Sequence, residues 1–278
     1  MKHALVTGAG ARLGRAMALY LGDRGYDVAV HYNSSSDGAD EVVSELKAKG
    51  RQAVALQADL LDETATHDLL PRAAGALGGP ITCLVNNASI FEYDNISTAT
   101  EESWNRHIGS NLRAPFILTQ AMAAQGLAPE TDAQDEPVAV GLIINMLDQR
   151  VRKLTPEFMT YTIGKMGLWA LTQTSSQALA PAIRVNAIGP GAEDVPIGLR
   201  VAVDPSISYK WYEGQGRGES FDSSPFQIIG EHTQGGFAEY TVVPAENLLE
   251  IPEHVPFERA AAAGLVFVTA WRALLTRA

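Results

Sequence analysis

Short apolar runs alternate with longer segments of helical periodicity through the first two thirds of the chain. The apolar runs are rich in Val, Ile, Leu and Ala and are bounded by Gly, Asn, Asp or Ser, which is typical of buried strands. The segments between them carry apolar residues at spacings of three and four, which is typical of amphipathic helices. We predict strands at residues 3–7, 26–32, 53–58, 81–85, 138–146 and 183–188.

This alternation predicts a parallel sheet covered by helices on both faces, a Rossmann-like, doubly wound α/β fold of about six strands. In such folds, ligands bind at the carboxyl ends of the strands. The alternation stops after Gly191. We therefore predict a nucleotide-binding domain at residues 1–191 and a smaller β-rich segment at residues 192–278 that ends in a helix.

The first predicted strand leads into a glycine-rich turn that contains Gly8, Gly10 and Gly14. A strand, a glycine turn and a helix start form the arrangement in which free backbone N–H groups meet a pyrophosphate. An ordinary connecting loop uses the same residue types, but the position between a strand and a helix favours a nucleotide site. Arg12 is unusual in a plain connector and is placed to meet an additional phosphate. We predict cofactor contacts from Gly8, Arg12, Leu13 and Gly14.

The second predicted strand ends in His31, Tyr32, Asn33 and Ser34. An acidic residue at this point would bind the ribose 2′-hydroxyl of NAD. This chain carries neutral side chains there instead, with Arg12 nearby, and that combination favours the 2′-phosphate of NADP. A polar loop without a ligand explains the same residues equally well. We predict that all four contact NADP.

Polar residues also follow the third and fourth predicted strands. Asp59 either accepts a hydrogen bond from an adenine or caps the next helix. Asn87 belongs to a pair of Asn residues, and such side chains at a strand end can fix both the sheet edge and a ligand. A Pro-Gly pair ends the sixth predicted strand. The cofactor contacts that we predict at these strand ends are Asp59, Leu60, Asn87, Ala88, Ser89, Pro190 and Gly191.

Asn111 interrupts a predicted helix at residues 102–123, and Pro115 follows it closely. Asn is unfavourable inside a helix and Pro breaks the backbone hydrogen-bond ladder, so we expect a local bend at this point. For Asn111 taken alone, a tolerated polar residue is the simpler interpretation.

Tyr161 and Lys165 lie four residues apart on the last predicted helix, which places them on one face. A free phenol loses its proton near pH ~10. An ammonium beside it favours the phenolate, and so makes the Tyr a better proton donor or acceptor at neutral pH. Asp148, which follows the fifth predicted strand, would share the same proton path. This spacing is common by chance, so its weight comes from the strand ends around it.

Residues 1–191 resemble the short-chain dehydrogenase/reductase family, and within it the pteridine and dihydromonapterin reductases. Most members carry Ser where this chain carries Asp148, whereas the pteridine-reducing branch has Asp there and Arg in the glycine turn. The family continues with a substrate-covering loop and a seventh strand, which are missing from the remaining sequence. The motifs that carry the resemblance are Thr7-Gly8-x-x-x-Arg12-x-Gly14, Asn86-Asn87-Ala88-Ser89, Asn111, Tyr161-x-x-x-Lys165 and Pro190-Gly191.

The resemblance implies NADPH as the cofactor and four catalytic residues. It implies that Tyr161 donates a proton, and that Lys165 holds the nicotinamide ribose and lowers the pKa of Tyr161. It also implies that Asp148 joins a proton relay and that Asn111 holds a water molecule in that relay.

The resemblance further implies that Phe91 sandwiches a pterin against the nicotinamide and that Ser89 lies near the cofactor phosphates. The expected reaction is hydride transfer from NADPH to a C=N bond of a pterin-like substrate or to a related carbonyl. The alternative is a nucleotide-binding but catalytically silent module, chimeric or truncated, because the substrate-covering loop is missing. Family members are usually tetrameric, so we expect a homo-oligomer, either a dimer or a tetramer.

Residues 192–278 resemble a fragment of the zinc-type medium-chain alcohol dehydrogenases. The matching part spans the end of their β-rich catalytic domain and the helix that leads to their nucleotide domain. Glu231 and His232 are two ligands in a strand-like stretch, which more often only form hydrogen bonds. We predict no metal site and therefore disfavour a zinc alcohol dehydrogenase. The four positions that match the structural zinc ligands of that family hold Tyr209, Tyr212, Gln215 and Ser223, which do not bind zinc well.

Composition narrows the classes of partner. The formal net charge of −11 argues against nucleic acid or an anionic membrane as the main partner, and favours a small-molecule substrate. The single Cys, Cys83, excludes an intrachain disulfide and suits a reducing compartment. No apolar run approaches the length of a membrane span, and a strand begins at residue 3, so we expect a cytoplasmic protein without a leader peptide.

Overall fold

The computed structural model describes residues 2–151 and 154–189, together with the backbone of four short strands beyond them. The chain divides into two units, Met1–Pro190 and Gly191–Ala278. The strands of the first unit are β1 (His3–Val6), β2 (Asp27–Tyr32), β3 (Ala53–Gln57), β4 (Cys83–Asn86), β5 (Glu130–Thr131), β6 (Pro137–Val138), β7 (Gly141–Met146) and β8 (Ile183–Ile188). Its helices are α1 (Arg12–Asp23), α2 (Ser36–Ala48), α3 (Glu63–Leu77), α4 (Glu101–Ile108), α5 (Ala114–Ala124) and α6 (Met159–Leu179).

Six of these strands form one parallel sheet in the order β3-β2-β1-β4-β7-β8. Leu5 of β1 pairs with Leu84 of β4, which in turn pairs with Ile143 of β7. The strand order reverses between β1 and β4, and the carboxyl ends on either side of such a switch point form a crevice for ligands. The predicted Rossmann-like fold is confirmed.

Alternate residues along each strand enter two separate cores, because successive side chains of a strand point to opposite faces of a sheet. On one face, Leu5 and Leu84 pack with α3 and α5, which contribute Leu69 and Leu118. On the other face, Val6 and its neighbours pack with residues of α1 and α2. The sheet is therefore covered on both sides, as the near-continuous apolar character of its strands requires.

The predicted fifth strand begins too early. Val138 belongs to the exposed hairpin of β5 and β6, in which it pairs with Glu130. Parallel pairing with β8 starts only at Gly141, because the backbone N–H groups of Val140 and Gly141 both turn to the carbonyl of Ala182. Of the strand predicted at residues 138–146, only β7, which begins at Gly141, belongs to the parallel sheet.

The predicted helix at residues 102–123 is two helices separated by a π-helical turn at Gly109–Arg113. Asn111 lies at the centre of this turn, and Pro115 lies near the start of α5. The expected bend is present, in the form of a π turn, a feature that frequently marks functional sites. The start of α4 is fixed by a reciprocal pair of hydrogen bonds between Thr100 and Ser103.

The described backbone of the second unit consists of four short strands in two antiparallel pairs. The strands are β9 (Val201–Val203), β10 (Ser206–Ile207), β11 (Gln227–Ile228) and β12 (Leu248–Glu250). β9 pairs with β12, and β10 pairs with β11. The predicted final helix and the four zinc-family positions lie outside the described residues. Of the helices that the structure describes, none combines the length and the apolar character needed to span a membrane.

We predict that Leu118→Ala destabilises the first unit by about 2–5 kcal/mol, because Leu118 is fully buried and truncation leaves a cavity in the core. The measurement is urea unfolding followed by circular dichroism. Gln120→Ala, an exposed change on the same helix, is the control and should stay within about 0.5 kcal/mol of the wild type. Equal losses in the two variants would contradict the assignment of Leu118 to the core.

Candidate active site

The glycine turn between β1 and α1 has the geometry that an anion site requires. Gly8 has φ +64°, a left-handed conformation that glycine adopts without strain. A Cβ on Gly14 would lie 2.1 Å from the Gly8 carbonyl oxygen, so only glycine fits there. Among the described residues, no side chain caps the start of α1, and its first two residues, Arg12 and Leu13, are exposed, so the N–H groups of this helix start are available to an anion.

His31 supports this turn from inside the protein. Its side chain is 2% exposed, and its Nδ1 accepts a hydrogen bond from the Gly8 N–H at 3.0 Å. Its Nε2–H therefore donates to the Ala58 carbonyl, at 3.1 Å. Both ring nitrogens of His31 are thus engaged within the protein, and the contact of His31 with the cofactor stays a prediction. Burial lowers the pKa of His31 from its ordinary value of 6.5 to about 4.

The other residues predicted beyond β2 and β3 lie near the turn in differing environments. Tyr32 is half-buried, whereas Asn33 and Ser34 are exposed. Asp59 is exposed and its Oδ1 accepts a hydrogen bond from the Leu61 N–H, so it does not cap α3. That role belongs to Asp62. Leu60 points its side chain into the core, which leaves only its backbone toward the crevice.

The segment after β4 is locked onto the glycine turn. Asn87 donates from Nδ2 to the Thr7 carbonyl at 2.9 Å and to the Gly8 carbonyl at 3.3 Å. The Thr7 hydroxyl oxygen accepts from the N–H groups of Asn87 and Ala88, both at 2.9 Å. The structure therefore brings Gly8, Asn87 and Ala88 together. Pro190 and Gly191, also predicted for this site, lie outside the described residues.

The predicted acid–base residues converge beyond the carboxyl end of β7. The Tyr161 hydroxyl donates to Asp148 Oδ2 at 3.0 Å. Lys165 Nζ donates to the Met146 carbonyl at 2.7 Å and lies 5.6 Å from the centre of the Tyr161 ring. Tyr161 and Lys165 are both buried. The Ser89 hydroxyl donates to the Ile90 carbonyl at 3.5 Å and acts to lower the pKa of Tyr161, while its place near the cofactor phosphates stays a prediction.

Burial and the negative charge of Asp148 raise the pKa of Tyr161 well above its ordinary value of 10.0. Burial lowers the pKa of Lys165 from its ordinary value of 10.5 to about 8, with Asp148 acting in the opposite direction. The expected lowering of the Tyr161 pKa by Lys165 is therefore wrong for this arrangement, because Lys165 bonds to the Met146 carbonyl while Asp148 contacts the phenol. A phenol with a raised pKa stays protonated at neutral pH, as a proton donor must.

Asn111 acts on a neighbouring loop. Its Oδ1 accepts from the Ile90 N–H at 2.9 Å, and its Nδ2 donates to the Ile90 carbonyl at 2.8 Å. Each end of the Asn111 amide thus makes one hydrogen bond to Ile90, and its role in holding a water molecule stays a prediction. Asn111 is fully buried and fixes the loop that presents Phe91.

Aromatic rings form one wall of the site. Phe91, 51% exposed, stacks on Phe158 with ring centres 4.3 Å apart and meets the edge of Tyr161 at 4.7 Å. The Arg150 guanidinium lies 5.4 Å from the Phe91 ring and 4.7 Å from the Phe158 ring, within cation–π distance. It also pairs with Asp148 at 3.5 Å.

Sequence reasoning singled out Phe91 but missed Phe158 and Arg150. Their closeness in sequence to predicted catalytic residues could have indicated them. Arg150 follows Asp148 by two positions, and Phe158 precedes Tyr161 by three. The described residues contain no cluster of three or more His, Cys, Asp or Glu side chains that could hold a metal ion. Glu231 and His232 lie outside those residues, so the absence of a metal site stays a prediction.

Comparison with known proteins assigns most of the chain to one family. Residues 2–201 match the short chain dehydrogenase family. Residues 179–253 match the alcohol dehydrogenase GroES-like domain. The 3-oxoacyl-[acyl-carrier-protein] reductase FabG of Staphylococcus epidermidis is 35% identical over 191 residues, which cover 68% of this chain and 74% of that protein.

Solved structures give similar matches. FolM alternative dihydrofolate reductase 1 from Brucella canis, complexed with NADP, is 39% identical with a TM-score of 0.62. That match covers 68% of this chain and 73% of the Brucella protein. A short chain dehydrogenase from Burkholderia cenocepacia J2315, also in complex with NADP, is 32% identical with a TM-score of 0.61, covering 68% of this chain and 74% of its own.

We predict that the buried, neutral His31 makes the free energy of unfolding decrease as the pH falls from about 6.5 toward about 4. In that window the unfolded chain protonates His31 and the folded chain does not, so stability is complete above about 6.5 and falls by up to ~1.4 kcal/mol per pH unit. Urea unfolding at a series of pH values measures the slope. His31→Gln should reduce it, and His67→Gln, at an exposed position, should not. Identical slopes in the wild type and His31→Gln would contradict this account.

Proposed function

The chain belongs to the short-chain dehydrogenase family, and from this premise we propose that it is an NADPH-dependent reductase of pterin-like C=N substrates. The observation that carries the proposal is the hydrogen bond from the Tyr161 hydroxyl to Asp148, 3.0 Å long, at the carboxyl end of the sheet. The similarity to an NADP-bound alternative dihydrofolate reductase supports the same substrate class.

The residues around the glycine turn fit a dinucleotide phosphate. The close approach of Gly14 to the Gly8 carbonyl leaves no room for a Cβ, and the start of α1 carries the partial positive charge of a helix N-terminus. Arg12, with φ +51°, lies beside that start and would bind an additional phosphate of NADP. No acidic residue follows β2 at the position that would select the free ribose of NAD.

When bound, NADPH supplies the hydride, and the residues of the chain supply the proton and the geometry. Tyr161 is the proton donor, since its raised pKa keeps the hydroxyl protonated at neutral pH. Asp148 accepts the Tyr161 hydrogen bond and is the group through which the phenol exchanges its proton with solvent. Lys165, whose ammonium donates to the Met146 carbonyl, would hold the nicotinamide ribose of a bound cofactor.

The aromatic wall suits a flat, conjugated substrate. Phe91 offers one ring face at the mouth of the site, and Arg150 adds a cation beside it. Flat heterocycles gain stacking energy on such a surface, whereas a flexible acyl chain gains only apolar contact. This favours a pterin-like ring over the acyl thioester that a similarity to 3-oxoacyl reductases suggests. Related carbonyl compounds with planar rings remain within the proposed class.

A nucleotide-binding but catalytically silent module is the second candidate. It is favoured by one observation: about a quarter of the length of the curated relatives lies outside the matched region, and a GroES-like match at residues 179–253 overlaps the end of the short-chain match at residue 201. In this case the chain would bind NADPH but reduce none of the substrates offered. Binding and turnover measured on the same preparation separate the two candidates.

We also propose that the chain forms a dimer or a tetramer. Large apolar side chains are exposed on three helices of the first unit, and exposed groups of this kind mark protein–protein contacts when they lie close together. The residues concerned are Trp104 on α4, Phe116 on α5, and Ile163 and Met166 on α6.

We predict that Tyr161→Phe lowers kcat by about 100-fold to 10,000-fold, the usual contribution of a general acid. The Kd for NADPH should stay within about twofold of the wild type, because the variant keeps the ring and loses only the hydroxyl group. The measurements are NADPH oxidation with dihydrobiopterin or dihydrofolate, and fluorescence titration with NADPH. Tyr20→Phe, at an exposed position on α1, is the control. Wild-type kcat in Tyr161→Phe would remove Tyr161 from the mechanism.

We predict that Gly14→Ala abolishes NADPH binding, because its Cβ would lie 2.1 Å from the Gly8 carbonyl oxygen and would force the turn apart. Gly75→Ala is the matched control, since a Cβ there meets nothing within 4 Å. It should bind NADPH normally and gain up to ~1 kcal/mol of stability, as expected for Ala replacing Gly in a helix. Calorimetric titration with NADPH measures both variants, and normal binding by Gly14→Ala would contradict the proposed cofactor site.

A further inference from the structure

The helix that carries Tyr161 is capped by a residue far away in sequence. Phe158 precedes α6 in a left-handed conformation and supplies no side-chain cap. Instead, the Asp94 carbonyl accepts from the N–H groups of Phe158 at 2.7 Å and Met159 at 3.4 Å. The Asp94 carboxylate accepts the next backbone hydrogen bond, from the Thr160 N–H to Oδ1 at 3.1 Å. The first N–H groups of α6 thus depend on the loop after β4.

A directed chain of hydrogen bonds extends this cap. The Glu92 N–H donates to His107 Nε2 at 3.1 Å, so that nitrogen is unprotonated. His107 Nδ1 therefore carries the proton and donates to the Thr160 hydroxyl oxygen at 2.6 Å. The Thr160 hydroxyl in turn donates to Asp94 Oδ2. Because a backbone N–H can only donate, the bond from Glu92 fixes the direction of these three hydrogen bonds.

The groups of this chain are enclosed in the protein. Asp94, His107 and Thr160 are all buried. Burial lowers the pKa of His107, which keeps the ring neutral and able to accept from Glu92. Burial opposes ionisation of Asp94, but hydrogen bonds from the Thr160 hydroxyl and N–H outweigh it and lower the pKa of Asp94. A carboxylate at a helix N-terminus is further stabilised by the helix dipole.

This series of hydrogen bonds connects the segment that carries Tyr161 with the segment that carries Phe91. Thr160 immediately precedes Tyr161, the proposed proton donor, and Glu92 immediately follows Phe91, the proposed stacking residue. The edge of the His107 ring also packs against Tyr161, with ring centres 6.0 Å apart. A shift of any member of the chain therefore moves the phenol relative to the aromatic wall.

We propose that Asp94, Thr160 and His107 are positioning residues that set the placement of Tyr161 relative to Phe91. The inference rests on the proposed function, because it assigns their effect to proton transfer from Tyr161. The glycine turn is held by separate hydrogen bonds: the Gly8 N–H donates to His31, and Asn87 donates to the Thr7 carbonyl. Loss of the hydrogen bonds that join Asp94, Thr160 and His107 should therefore lower kcat and leave NADPH binding unchanged.

The test compares three substitutions on α6. Thr160→Val keeps the shape of the side chain but removes the hydroxyl, and it should lower kcat by about 10-fold to 100-fold, the effect of a misplacement of about 1 Å. The Kd for NADPH should stay within about twofold. Thr160→Ser restores the hydroxyl and should recover most of kcat. Thr162→Val is the matched control, because the buried Thr162 hydroxyl has no partner among the described residues.

Two further variants separate positioning from loss of folding. His107→Asn keeps a donor near the Nδ1 position and His107→Gln keeps an acceptor near the Nε2 position, so each retains one of the two bonds. Both variants should therefore lower kcat by less than His107→Ala, which loses the bond to Thr160 and the bond from Glu92. The proposal is overturned if Thr160→Val keeps wild-type kcat, if Thr160→Ser is as impaired as Thr160→Val, or if kcat and NADPH affinity fall together.

A measurement without turnover distinguishes this inference from the proposed function. If the wild type reduces no substrate, the proposed function fails, and the NMR signal of the 13C-labelled Tyr161 ring then tests the positioning alone. That signal is assigned by its loss in Tyr161→Phe. It should shift in Thr160→Val and stay in place in Thr162→Val. An unmoved Tyr161 signal in Thr160→Val would overturn the inference.

Discussion

The parallel pairing of β4 with β7 places the candidate site, and a buried chain of amides holds that pairing to the catalytic helix. Asn86 lies opposite Asn145 in the register and donates to its Oδ1 at 2.8 Å. Asn145 donates in turn to the Thr172 hydroxyl on α6 at 2.9 Å. Because buried amides are costly unless bonded, this arrangement fixes one alignment of two strand ends and a helix. Asp148, just beyond β7, then meets Tyr161 of that helix.

The charges of the site are set by the burial of Lys165 and Tyr161. Lys165 is buried, which disfavours its charge, and the Met146 carbonyl together with the attraction of Asp148 offsets part of that penalty. Tyr161 remains a neutral phenol because it is buried and donates a hydrogen bond to the negatively charged Asp148 carboxylate. In the proposed mechanism Tyr161 donates a proton, and the charge that develops on its oxygen would have the Lys165 ammonium nearby.

Much of this arrangement could be predicted from the sequence because strand periodicity and the glycine turn are local properties. The sheet, the bend at Asn111, and the meeting of Asp148 with Tyr161 all follow from where strands end. The roles of His31 and Asn111 could not be predicted, because a side chain at a strand end or in a helix turns inward or outward according to neighbours distant in sequence. The raised pKa of Tyr161 depends likewise on burial, which only the packed structure defines.

The central claim is that Tyr161 lies beside the reacting carbon of a nicotinamide bound over the glycine turn. A crystal structure of the full chain with NADP tests it most directly. The account predicts the pyrophosphate on the N–H groups at the start of α1, and the nicotinamide C4 within about 4 Å of the space bordered by the Tyr161 hydroxyl and the exposed side of Phe91, as reaction geometry requires. A nicotinamide ring bound away from that space, or a Tyr161 hydroxyl turned into bulk water, would contradict it.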